Sequence, residues 1–205
     1  MSGLRWTGLC AAVGTLTFVA GLSPRLVRSL NVRRAAAAVA TSGHTVGAVT
    51  TPAPIVVEFG DYECSPCAAA DTAMARLLSK WRFVLRFHYL PSERDHPYAF
   101  EAAVAAECAA TQNRFEPMHH LLFRRRADFG AVSWAMLAAA AGVFDTTAFT
   151  ACMDGDAAAR VVVGDIAMGR LLRLRQTPAF LLGSAVYYGV PQDSTIERYV
   201  RDHQP

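Results

Sequence analysis

The residues best placed to do covalent chemistry are the pair in Cys64-Ser65-Pro66-Cys67. A thiol at the start of a helix faces unpaired amide donors and the positive end of the helix dipole, which favour the thiolate. Cys64 is therefore the expected attacking sulfur, and Cys67, one turn deeper, the one that resolves a mixed disulfide. The same spacing makes half a zinc site, which His88, His96, His119 and His120 could complete. Read individually, His88 falls on a strand and His119-His120 on an amphipathic helix, so neither a metal nor another cofactor is expected. Glu58 precedes the pair on a short apolar run. Buried, such a carboxylate has a raised pKa and can take the Cys67 proton during resolution; facing water, it is an ordinary strand residue. Thr177-Pro178 opens a later apolar run, where a proline cannot donate to a central ladder. It is either a plain strand-entry proline or a cis proline that leaves the Thr177 backbone free to pair with an extended peptide.

These residues need elements to hold them. Ile55 to Phe59 is a β-branched run closed by Gly60-Asp61, as a buried strand should be. Cys67 to Lys80 places Ala70, Ala73, Met74, Leu77 and Leu78 on one helical face. Phe83 to Leu90 alternates apolar with polar residues up to Pro91, giving a second strand. From Pro97 to about Leu174 the windows have helical spacing, punctuated by Gln112-Asn113, Gly130, Gly142 and Gly155, which predicts four or five helices. Ala179 to Leu182, the turn Gly183-Ser184 and Ala185 to Tyr188 form a hairpin. Asp193 is the expected N-cap of a last helix with Ile196, Tyr199 and Val200 inward. The order describes an α/β sandwich with an all-helical insertion.

The remainder of the chain bounds its setting. Its 205 residues, 53% hydrophobic, suffice for one domain with appendages. A net charge of +3, with one notable basic cluster at Arg124 to Arg126, argues against nucleic acid as a partner. Thr7 to Leu22 is an uncharged, largely apolar run behind Arg5, so residues 1–24 read as a signal sequence or membrane anchor. Arg25, Arg28, Arg33 and Arg34 follow it, and a strict positive-inside count would leave the domain in the cytoplasm. Residues 25–45 read as a linker, because the stretch from about Ala35 to Pro54 is rich in Ala, Gly, Thr and Pro and lacks helical periodicity. The domain then spans 46–205.

Several separated motifs carry a resemblance. Val56-Val57-Glu58-Phe59-Gly60-Asp61-Tyr62-Glu63-Cys64 resembles the active-site strand and turn of DsbA-like proteins, and Gln176-Thr177-Pro178-Ala179-Phe180 resembles their cis-proline loop. Phe87-His88-Tyr89-Leu90-Pro91, His96-Pro97-Tyr98-Ala99 and Phe115-Glu116-Pro117-Met118-His119 resemble, in order and spacing, the second strand and first insertion helices. The likeness runs from roughly Val46 to Val200. It implies a thioredoxin fold with the insertion between the second strand and the cis-proline hairpin. It also implies dithiol-disulfide exchange with reduced or misoxidised protein substrates and a membrane or soluble redox partner, outside the cytoplasm. The matching residues are Cys64, Cys67, Glu58, Thr177 and Pro178, with Ser65 and Pro66 also facing substrate. Ser65-Pro66 departs from the strongest oxidases in having no His between the cysteines, which implies an intermediate redox potential. The alternatives are a membrane-tethered reductase, or a non-catalytic peptide- or metal-binding module. Cys108 and Cys152 lie on two different predicted helices and are either small buried apolar residues or, as in some DsbA-like proteins, a structural disulfide.

Overall fold

The computed structural model describes residues 24–48 and 52–204. In chain order the elements are α1 (Pro24–Thr41), β1 (His44–Val46), β2 (Ile55–Gly60), α2 (Ser65–Leu78) and β3 (Val84–Tyr89). Five helices follow: α3 (Ala99–Ala110), α4 (Phe115–Arg125), α5 (Trp134–Ala140), α6 (Thr146–Met153) and α7 (Asp156–Leu171). β4 (Ala179–Leu182), β5 (Ala185–Tyr188) and α8 (Asp193–Asp202) complete the chain. One sheet takes the order β1-β3-β2-β4-β5. β2 is its centre, parallel to β3 and antiparallel to β4, which explains why Val56 to Phe59 is buried throughout rather than alternating with polar residues.

The pleat sends neighbouring residues to two cores. Val56, Leu85, Phe87, Tyr89, Phe180 and Leu182 face one core, filled by Cys67, Ala70, Met74 and Leu77 of α2 and Ile196 and Val200 of α8. The five insertion helices extend that core. Val57, Phe59, Ala179 and Leu181 face the other, covered by Ala35 and Val39 of α1 and by Leu172 just after α7. Glu58 shares the parity of Val56, so its carboxylate enters the core beneath α2.

Residues 25–45 are not a linker. They form α1 and most of β1, which pairs antiparallel with β3 from His44↔Phe87 to Val46↔Leu85. Ala35 and Val39 lie four apart on one helical face and are buried on the sheet, with Val32, Ala36 and Ala40 beside them. Because that stripe is made of small residues inside an alanine run, it has little contrast with its flanks, while alanine itself favours helix. Residues 1–23, which hold the segment read as a signal sequence or anchor, lie outside the described residues. Among the described residues no helix is long and apolar enough to cross a membrane. At the other end, the N-cap of α8 is Gln192 rather than Asp193, whose carboxylate instead receives two hydrogen bonds from Arg76 of α2.

Candidate active site

β2 ends where α2 begins, and a buried carboxylate builds the turn between them. Asp61 Oδ1 accepts the Glu63 N–H at 2.8 Å, Oδ2 accepts the Ser92 N–H at 2.8 Å, and His96 Nδ1 lies 2.8 Å from Oδ2. The Asp61 carbonyl accepts the Cys64 N–H at 3.2 Å. Immediately before it, Gly60 permits close packing: a Cβ there would come within 2.4 Å of the Phe87 ring. This turn presents Cys64 as the N-cap of α2, its sulfur accepting the Cys67 N–H at 3.3 Å. Pro66 occupies the first turn, where a missing N–H removes no helical bond.

The cis peptide at Thr177-Pro178 brings a second strand end to the same place. The Cys64 thiol donates to the Thr177 carbonyl at 3.6 Å, and Pro178 is buried at the start of β4. Ser65 and Pro66 stand exposed beside the pair, and both sulfurs are free thiols.

The two thiols differ sharply in acidity. Hydrogen bonding from Cys67, aided by Thr177 and by the Cys67 amide, lowers the Cys64 thiol to about 6 against the opposing effect of its partial burial. Burial raises Cys67 far above the ordinary thiol range, and the adjoining Cys64 adds to it. Glu58 is fully enclosed, and its Oε1 has no hydrogen-bond partner among the described residues. Burial, then the negative charges of Asp71 and Cys64, push its pKa well above the usual carboxylate range. The site therefore contains one ready thiolate, one reluctant thiol and one carboxyl disposed to hold a proton.

Sequence spacing did not reveal the support around this pair. Asp61, Ser92 and His96 organise the turn, a role different from the zinc ligation the sequence offered for His96. Burial works to lower the His96 pKa, but its hydrogen bond and charge contact with Asp61 outweigh that and raise it. Beneath α2, the Tyr62 hydroxyl lies 3.0 Å from His119 Nδ1, in a cluster with Phe87 and Phe123. The histidines do not join the cysteines. His88 is held between the Val39 carbonyl and Asp165, while His119 and His120 both face Asp71.

Cys108 of α3 and Cys152 of α6 are joined by a disulfide, with their Cα atoms 5.7 Å apart. It lies within the helical insertion.

A family model described as thioredoxin matches residues 40–202. The chain belongs to the thioredoxin family. Within this family its architecture is DsbA-like. It superposes on the thiol-disulfide exchange protein alpha-DsbA2 of Wolbachia pipientis with a TM-score of 0.72 at 16% identity, over 87% of this chain and 98% of that one. A periplasmic thioredoxin-like protein of Salmonella enterica serovar Typhimurium gives a TM-score of 0.67 at 20% identity, over 84% and 95% of the two chains. Part of the sequence is also similar to a Na(+)/H(+) antiporter NhaA 1 of Salinispora arenicola, 44% identical over 80 residues. That stretch is 37% of this chain and 12% of the antiporter. This thioredoxin-family chain thus has a DsbA-type oxidoreductase fold carrying a Cys64-x-x-Cys67 pair, and family and fold together support a thiol-disulfide oxidoreductase.

Proposed function

We propose that the chain exchanges disulfides with protein substrates outside the cytoplasm, with Cys64 as the sulfur exposed to substrate and Cys67 as the resolving sulfur. The observation that carries this reading is the placement of Cys64 as the N-cap of α2, its sulfur accepting the Cys67 N–H beside cis-Pro178 while Cys67 is buried behind it. With the pair oxidised, a substrate thiolate attacks Cys64 Sγ, forming a mixed disulfide and expelling Cys67. Cys67 is a poor thiolate and needs a proton, which Glu58 supplies. A second substrate thiolate then attacks the substrate's own sulfur, closing its disulfide and releasing Cys64 as a stable thiolate. Two electrons pass to the cysteine pair, and a redox partner removes them. The Thr177 backbone beside cis-Pro178 offers the edge along which an extended peptide lies, with Ser65 and Pro66 lining the approach.

The Cys64 acidity also bears on driving force. A thiol at about 6 lies between thioredoxin, about 7, and the strong oxidase DsbA, about 3.5. An intermediate potential follows, between about −270 and −130 mV, because a stabilised thiolate favours the reduced pair. Equilibration with glutathione measures it, and a value above about −130 mV contradicts the reading. Insulin reduction and oxidative refolding of a reduced protein test the activity. Both should be lost in Cys64→Ser; activity that persists in this variant overturns the assignment.

Two observations support the compartment. A disulfide between Cys108 and Cys152 suits an oxidising environment, and the apolar run at Thr7 to Leu22 suits export or anchoring. Alkaline phosphatase, active only after export, fused after Pro205 should be active. An inactive fusion with an intact chain would place the domain in the cytoplasm, the side that a strict positive-inside count of the arginines after the apolar run gives.

A further inference from the structure

Asp71 lies on α2 one turn beyond Cys67, and its carboxylate meets α4. There it meets adjacent histidines: His120 Nδ1 is 2.7 Å from Asp71 Oδ1, and His119 Nε2 is 3.4 Å from the same oxygen. One ligand atom from each of Asp71, His119 and His120 lies within 4.8 Å of the others. From this convergence we infer a second site, a divalent-metal site formed by Asp71, His119 and His120.

The distances suit zinc. With ligand bonds of about 2.0–2.2 Å, neighbouring ligands of a tetrahedral zinc stand roughly 3.3 Å apart. His119 already holds that spacing from Asp71, and His120 needs to move out by several tenths of an ångström. It can do so, since its side chain is 26% exposed whereas His119 is enclosed. The outer shell is also in place. The Tyr62 hydroxyl engages Nδ1 of His119, which fixes the ring and leaves Nε2 as the inward ligand atom. Two imidazoles and one carboxylate favour a borderline cation such as Zn2+ over Mg2+ or Ca2+, which prefer all-oxygen sites. Three protein ligands leave a fourth position for water or an incoming group. The nearby Glu116 carboxylate, 3.7 Å from His120 Nε2, is committed to the Gly47 N–H and lies against the wrong ring nitrogen. Occupancy ties α4 to the helix that carries Cys67, so a metal would brace the cysteine pair from beneath without touching it.

The test uses zinc and the full chain carrying Cys10→Ser, Cys64→Ser and Cys67→Ser, so that thiolates cannot bind the metal and failure of the exchange reading has no bearing on the result. Calorimetry should show one equivalent of Zn2+, with the affinity reduced by at least about tenfold in His120→Gln and in Asp71→Asn. His120→Gln alters a part-exposed side chain, and its circular dichroism should match the parent's. Nitrogen-15 spectra should show zinc-dependent shifts at Nε2 of His119 and Nδ1 of His120. No saturable binding, or binding that is unchanged in folded His120→Gln, overturns the site and leaves a hydrogen-bonded Asp-His-His cluster.

Discussion

The four cysteines in the described residues form two pairs that differ in helix position. Cys64 and Cys67 open a helix, where the amides and dipole stabilise a thiolate. Cys108 and Cys152 each lie in the final turn of theirs, α3 and α6, where unpaired carbonyls and the negative dipole end oppose one. Thiol-disulfide exchange requires a thiolate both to attack and to leave, so on the proposed reading a disulfide is labile at the first helix end and inert at the second. Separation in sequence adds to the contrast. The first pair closes a single helical turn, whereas the second spans 44 residues and restrains the unfolded chain.

Exchanging the roles should therefore fail in opposite ways. Cys64→Ser removes substrate turnover in both insulin and refolding assays and, below about pH 6, leaves thermal stability close to that of the reduced parent. Cys108→Ser should retain turnover but lose roughly 4 kcal/mol of stability, the loop-closure value for this separation. In a chain of this size that corresponds to about 10 °C in the thermal midpoint by calorimetry. Loss of turnover in a folded Cys108→Ser protein would break the comparison.

Glu58→Gln sharpens the role of the proton. Formation of the mixed disulfide, in which Cys64 is attacked and Cys67 expelled in one displacement, should slow by roughly 10²-fold in stopped-flow measurements, with the second displacement, which releases Cys64, much less affected. A variant that forms its mixed disulfide at the parental rate removes Glu58 from the chemistry.

The stability of the reduced protein should also depend on pH in the direction set by Cys64. Its folded pKa of about 6 lies below the unfolded value of about 8.5, so folding favours the thiolate. That stabilisation is fully present above about pH 8.5 and is lost as the pH falls through about 6. Cys64→Ser should flatten the difference in denaturant midpoint across this window, and an undiminished slope contradicts the assignment. The smallest effect expected is in His96→Gln. Loss of a positive charge beside Asp61 should raise the Cys64 pKa by a fraction of a unit, read from its ultraviolet thiolate absorbance.

The placement of the cysteine pair was legible in the sequence because it is local: Cys64, Cys67 and the start of α2 fall within one turn of chain. The hairpin and the five insertion helices were legible too, since glycines and apolar spacing mark their ends. α1 was not, because its buried face consists of small residues amid alanines and only the opposing sheet distinguishes Ala35 and Val39 from their neighbours. The support for the site was hidden for a different reason. Asp71 and His120 are 49 residues apart and Asp61 and His96 are 35 apart, so only the packing of α4 and of the loop after β3 brings them together. His119-His120 has the pattern of an ordinary amphipathic helix until Asp71 is placed opposite it.

The most direct test of the central claim is the pH dependence of alkylation in the fully reduced protein, with the modified cysteine located by mass spectrometry. Cys64 should react alone, with a midpoint near pH 6, while Cys67 remains protected throughout the range. A midpoint near 8.5, the value of an unperturbed thiol, or preferential modification of Cys67 would contradict the division of labour between the two sulfurs.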